Sequence, residues 1–312
     1  MKIQNLSAAL LSFAIVSPAS LIAQEAQQAW VALSKVKGIN AYKGQVALFG
    51  VEGAAGELPM AVEGDGAESF TVNEVKKEGK MLTMEIGFEP AEARGFYAAE
   101  LVVGGGENQQ IVPLRGIATP ALEGANEPPL QFIIDAMGVN AEAGGKELSL
   151  DTGEATIGSS VAASQFEPVA GETLRVTPVA RYSPPGDAPF GFVVEADGEM
   201  NLQPIGSLAA TTKERPDAHQ TLRPPLASGE AMVEVASPPA KFGFYMKGEA
   251  YTSVTFPGRS EGTTIQNTAR IYPVTQYSGR ALTNAYLVGF EEASNGDYQD
   301  AVFLIEGVQA VK

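Results

Sequence analysis

The densest group of side chains able to hold a metal or a proton is Glu291-Glu292-Ala293-Ser294-Asn295-Gly296-Asp297-Tyr298-Gln299-Asp300. The carboxylates of Glu291, Glu292, Asp297 and Asp300, with the Asn295 amide, are hard oxygen donors of the kind calcium takes, so Ca2+ is the cofactor this stretch implies. The spacing is not that of an EF-hand. The same residues support a second reading, in which Asp297 and Asp300 cap a turn by accepting hydrogen bonds from backbone amides. Both readings stay open at this level.

Other chemistries find less in the chain. A serine nucleophile needs a histidine base, and the one histidine is His219, in a polar stretch that reads as a solvated loop. The absence of cysteine excludes disulfides, thiol nucleophiles and thiolate metal sites, and leaves zinc without its usual ligands. Glycoside hydrolysis needs two suitably placed carboxylates, but 37 acidic residues single out no pair. The single tryptophan, Trp30, offers no aromatic platform for a sugar. Gly104-Gly105-Gly106 lacks the following helix and Lys-Ser/Thr of a phosphate loop and reads as a hairpin turn. No catalytic residue is assigned, and the chain reads as non-enzymatic.

Strands must position these residues. The acidic stretch lies between two apolar runs, Tyr286-Leu287-Val288-Gly289-Phe290 and Ala301-Val302-Phe303-Leu304-Ile305, the pattern of a buried hairpin. Leu82, Met84, Ile86 and Phe88 fall on alternate positions, the period of a half-buried strand. Gly95 to Val103 and Gln110 to Ile117 read as two more, joined by the glycine turn. Residues 120–129, with a Pro-Pro pair, read as a linker. Leu130, Ile133, Ile134 and Met137 share a helical face that Gly138 would end, although Phe132-Ile133-Ile134 is also β-prone. Residues 209–225 are polar and punctuated by proline, and read as a surface loop unable to form core. Arg175-Val-Thr-Pro-Val-Ala-Arg-Tyr-Ser183 is echoed by Arg270-Ile-Tyr-Pro-Val-Thr-Gln-Tyr-Ser278, and Phe190-Gly191-Phe192 by Phe242-Gly243-Phe244. These echoes fit a duplication, or one large sandwich whose two sheets use similar pieces.

Two resemblances add to this. Phe88-Glu89-Pro90, Gly95 to Val103 and Val112-Pro113-Leu114-Arg115-Gly116 resemble bacterial immunoglobulin-like domains of the ASPM, SPD-2 and hydin type. Phe242-Gly243-Phe244-Tyr245, Arg270-Ile271-Tyr272-Pro273, Asn284 to Glu292 and Gly296 to Val302 resemble the closing domain of secreted bacterial proteins of the DUF4114 type. The chain departs from that second form at Gln299, where Asn is common. Both imply fold and leave activity open. The expected architecture is therefore all-β: two antiparallel β-sandwich domains, an immunoglobulin-like one over 24–119 and, after the linker 120–129, a larger jelly-roll-like sandwich over 130–312.

Before them, Lys2 and the apolar run from Leu6 to Val16 have the form of a signal peptide, too short an apolar run to span a bilayer. Residues 1–23 form the expected leader, cut after Leu21-Ile22-Ala23, with Ser17-Pro18-Ala19 as the second choice. The formal charge of −16 disfavours nucleic acid, whose phosphates need clustered Lys and Arg. No later stretch is long and apolar enough to span a membrane. The expectation is an exported protein, extracellular, at the cell surface or periplasmic, whose partner is an extracellular or cell-surface ligand. Its role is surface display, adhesion or ligand binding, and the alternative class is a secreted carbohydrate-active enzyme or carbohydrate-binding module. N-terminal sequencing of the protein recovered outside the cytoplasm should begin at Gln24; an intact Met1 in the cytoplasmic fraction would contradict export.

Overall fold

Period-two burial builds the first part of the chain. The computed structural model describes residues 29–39 and 43–311, so the leader 1–23 lies outside the described residues. The first strands are β1 (Val31–Val36), β2 (Gly44–Leu48), β3 (Met60–Glu63), β4 (Phe70–Glu78), β5 (Met81–Phe88), β6 (Gly95–Val103) and β7 (Gln110–Thr119). In β5, Leu82, Met84, Ile86 and Phe88 are buried and the residues between them are not, because successive side chains of a strand point to opposite faces. One sheet has the order β1-β7-β6-β3 and the other β2-β5-β4. β1 runs parallel to β7; the remaining pairs are antiparallel. Their inner faces share a core that includes Val31, Leu101 and Leu114 from one sheet and Val46 and Leu82 from the other. Each such side chain, fully buried, contributes about 1.5–3 kcal/mol.

Residues 120–129 carry no strand and only a 3-10 turn, Gly124–Asn126. The apolar residues at helical spacing then form α1 (Leu130–Ala136), with Leu130, Ile133 and Ile134 buried. Helix prevails here over the β tendency of Phe132-Ile133-Ile134, and its end is well specified. Gly138, at φ +58°, donates to Asp135 O at 3.2 Å, and Val139 N donates to Ile134 O at 3.0 Å, the paired bonds of a Schellman stop. The Trp30 ring lies over Gly138 with no room for a Cβ between them, and Trp30 Nε1 donates to Ala136 O at 2.8 Å.

The second part adds β8 (Gln165–Pro168), β9 (Leu174–Tyr182), β10 (Ala188–Ala196), β11 (Glu199–Leu208), β12 (Gln220–Leu222), β13 (Val233–Val235), β14 (Gly243–Lys247) and β15 (Thr252–Val254). β16 (Ala269–Tyr277), β17 (Arg280–Phe290), β18 (Ala301–Glu306) and β19 (Val308–Val311) complete it. The main sheet runs β12-β9-β18-β17-β16, with β13 also on β9; β11-β10-β14-β15 form the sheet that faces it, and β19 pairs with β8. Between the two large sheets lies a phenylalanine-rich core, including Phe190, Phe192, Phe244, Phe290 and Phe303. The opposite face of the main sheet, with Val179, Leu287, Val302 and Leu304, packs on α1 and on Ala32 and Ile117 of the first sheet pair. β17 and β18 are thus covered on both faces, which explains why their apolar runs are continuous and do not alternate.

Each sequence echo lies within one sheet. Arg175 to Tyr182 falls on β9 and Arg270 to Tyr277 on β16, on either side of the β17–β18 hairpin. Phe192 and Phe244 are directly paired between β10 and β14. The polar stretch 209–225 departs from the surface loop expected of it. Asp217, Ala218, His219, Gln220, Thr221 and Leu222 are all buried, and Leu222 belongs to the core against α1. Its polar groups can be buried because they find partners: Thr221 Oγ1 lies 2.9 Å from Ser34 Oγ, and Gln220 Nε2 donates to Glu127. Among the described residues no helix is long and apolar enough to cross a membrane.

Gly116, buried on β7, marks a close approach of the first two sheets, since a Cβ there would enter the Phe88 ring. Gly116→Ala should lower stability by about 1–3 kcal/mol, the usual cost of overpacking, read as a lower urea midpoint with an unchanged slope.

Candidate functional site

The acidic loop closes the β17–β18 hairpin with Ala293, Ser294 and Asn295 exposed at its tip and its carboxylates turned inward. Glu291, Glu292, Asp297 and Asp300 are each no more than 2% exposed. The loop folds around Glu291. Its Oε1 accepts from the backbone N–H of Ala293 at 2.9 Å and of Asn295 at 3.2 Å, and its Oε2 accepts from Asp297 N at 2.9 Å. The Glu292 N–H donates to the Asp300 carboxylate, and the Ser253 hydroxyl to Glu291 O. Glu291 and Asp300 thus both cap the turn by accepting from backbone amides.

Asp297 and Asp300 come together with a residue that lies far away in sequence, Glu127. One carboxylate oxygen from each of the three lies within 4.8 Å of the others, and all three residues are buried. Glu291 stays with the backbone amides. Glu292 departs from the group: it packs on Gly248 and lines a cavity of about 440 Å3 with Arg181, Asp187, Lys247 and Glu249. The Asn295 amide donates to Asp297 Oδ2 at 2.6 Å.

Two glutamine amides tie the group together. Gln299 Nε2 donates to Asp297 Oδ2 at 2.8 Å and to Glu127 Oε2 at 3.1 Å. Gln220 Nε2 donates to Glu127 Oε1 at 2.8 Å. Burial holds Asp297 up at about 8, with the Glu291 and Glu127 carboxylates adding to it. Burial and then the Asp297 charge hold Asp300 well above the usual carboxylate range. Glu127 is raised by burial against the opposing effect of the two amides. Glu292 is pushed up to about 7 by burial, which the Arg181 charge partly offsets. A carboxylate out of water must be protonated, paired or bound to a cation.

Sequence reasoning misses Glu127 and Gln220. Glu127 sits in a proline-rich stretch that reads as linker, and Gln220 in one that reads as surface; nothing local distinguishes either. The pentapeptide Gly258-Arg259-Ser260-Glu261-Gly262 has the Gly-x-Ser-x-Gly form of a nucleophile elbow. It lies in the connection between β15 and β16 with no helix after it, and Ser260 Oγ is 2.6 Å from Thr268 Oγ1. His219 is buried in the stretch 209–225. It is 3% exposed, not solvated, with Nδ1 2.5 Å from Thr211 Oγ1 and Nε2 3.6 Å from Glu123.

No family model matches the chain. No curated protein matches it either. Among solved structures, it is similar to an endo-fucoidan hydrolase from glycoside hydrolase family 107, at 9% identity over 87% of this chain and 42% of that one. The TM-score of 0.18 is too low for that likeness to carry an argument.

Burial, and then the Arg181 charge, push His219 down to about 4. Between pH 6.5 and 4 the unfolded chain takes up a proton that the folded one refuses, so this residue's contribution is present above that window and is lost as pH falls through it. The raised carboxylates act in the opposite sense, because the folded state binds their protons first. The two effects separate by difference: the stability of wild type relative to His219→Gln should fall by on the order of 2 kcal/mol from pH 7 to pH 4.5. Urea titrations at both pH values measure it, and a constant difference would contradict the assignment.

Proposed function

We propose that the protein is an exported, non-enzymatic β-protein that serves surface display, adhesion or ligand binding, and that its acidic loop carries calcium as a structural ion through Asp297 and Asp300. The observation that supports this reading is the burial of the three carboxylates that converge, Glu127, Asp297 and Asp300. Hydrolysis of a glycoside requires two carboxylates on either side of a bond held in an open cleft. Buried oxygens without a counter-charge suit a hard cation instead. The all-oxygen donor set and the lack of cysteine favour calcium over zinc or copper.

Incubation of the mature protein with polysaccharides should release no reducing ends above a heat-denatured control, while glycan-array binding tests for a carbohydrate ligand. Release of reducing ends would overturn the non-enzymatic reading. Calcium that binds only the folded state raises its stability by about 2.7 kcal/mol at a hundred times the dissociation constant. The melting temperature should therefore rise in millimolar calcium relative to chelator, and Asp297→Asn or Asp300→Asn should abolish that rise. Equal melting temperatures in the two buffers would mean that the loop is held by turn capping alone.

A further inference from the structure

The calcium reading leaves the ligand set incomplete, since a loop offering two aspartates falls short of the six to eight oxygens calcium takes. Glu127 is the third carboxylate of the group, with an oxygen within 4.8 Å of those of Asp297 and Asp300. Two oxygens bound to one calcium at 2.3–2.6 Å are at most about 5 Å apart, so the three can share one ion.

A second observation points the same way. Asp297 Oδ1, Gln299 Oε1 and Gln220 Oε1 are buried and accept no hydrogen bond, on residues that are 0%, 0% and 1% exposed. Asp297 belongs to the group, and both glutamine amides touch Glu127. A half-turn of either amide exchanges its nitrogen for its oxygen, so the groups that give N–H to the carboxylates can give oxygen to an ion lying among them. Positive side chains do not fill this role: among the described residues, no ion pair includes Glu127, Asp297 or Asp300. The buried arginines nearby are turned to carbonyls, Arg181 to those of Pro184, Gly186 and Ala209, and Arg270 to those of Asp151 and Glu154.

We propose that Glu127 is a ligand of the same cation as Asp297 and Asp300, with the Gln220 and Gln299 amide oxygens completing the site, so that the ion clasps residues 120–129 onto the second sandwich. This rests on the calcium reading of the loop. The clasp reaches the first sheet pair through β12, where Gln220 holds Glu127 and the next residue, Thr221, meets Ser34 of β1 at 2.9 Å. Calcium thereby controls how firmly the two parts are docked.

The test uses the full mature protein, stripped with chelator and titrated with calcium alone by calorimetry, together with hydrogen–deuterium exchange of 120–129 and β12 in calcium and in chelator. Wild type should bind one calcium and gain protection in both segments. Glu127→Gln should bind at least tenfold more weakly and show no calcium-dependent protection, while Glu123→Gln, a neighbour half exposed at its side chain, should behave as wild type. If Glu127→Gln binds calcium as tightly as wild type while Asp297→Asn does not, the clasp is wrong and the loop reading stands. If wild type binds no calcium, both fall. Should Glu127→Gln fail to fold by near-UV circular dichroism, the wild-type exchange data decide: calcium binding without added protection at 120–129 overturns the proposal.

Discussion

The burial of the β17–β18 hairpin on both faces is the constraint from which the rest of the second sandwich follows. A strand pair covered on one side only can turn its loop toward water. Here phenylalanines of the facing sheet cover one side, and α1 with the first sheet pair covers the other. The loop at the end of this pair leaves Ala293, Ser294 and Asn295 at the surface and folds its flanks, Glu291–Glu292 and Asp297–Asp300, inside, where backbone amides must find acceptors. Glu291 supplies them, spreading its two oxygens over several N–H groups.

That arrangement concentrates negative charge where the medium is least able to screen it. The two most buried arginines among the described residues direct their terminal nitrogens at carbonyl oxygens: Arg181 and Arg270 fasten the backbone of 184–186, 209 and 151–154. Those cations are spent on loops and form no ion pair with Glu127, Asp297 or Asp300. Glutamine amides soften the repulsion among Glu127, Asp297 and Asp300 through N–H donation, yet carry no charge to cancel it. The raised proton affinities of these groups express the same imbalance.

The two parts of the chain meet through few but directional polar contacts laid over a shared apolar core. Trp30 ties the first strand to the end of α1 through its indole N–H, with the Arg115 guanidinium 5.2 Å from its ring. Ser34 reaches β12, and Glu127 reaches both β12 and the acidic loop. Ala32 and Ile117 of the first sheet pair belong to the same apolar cluster as α1. The polar contacts fix the register of the contact, and the apolar cluster supplies the driving force.

The sequence by itself determined the strands whose burial is one-sided and the helix whose ends are marked. Leu82 to Phe88 alternate because one face of β5 meets a core, and Leu130 to Gly138 carry both the spacing and the glycine stop that a short helix needs. It also placed the acidic loop between two buried runs, because continuous apolar residues around Ser-Asn-Gly admit few other structures. Only the tertiary structure decided which carboxylates share a site. Glu127 meets Asp297 and Asp300 because the chain returns from the first sheet pair across the end of the hairpin. Glu292, adjacent to Glu291, turns to another cavity. His219 and Gln220 lie in a stretch whose composition signals solvent, and are buried because Thr211, Glu127 and the Thr221–Ser34 pair provide partners from distant segments. Local pattern records what a residue wants to be near; polar residues want partners, and which partners arrive is settled by the packing of the sheets.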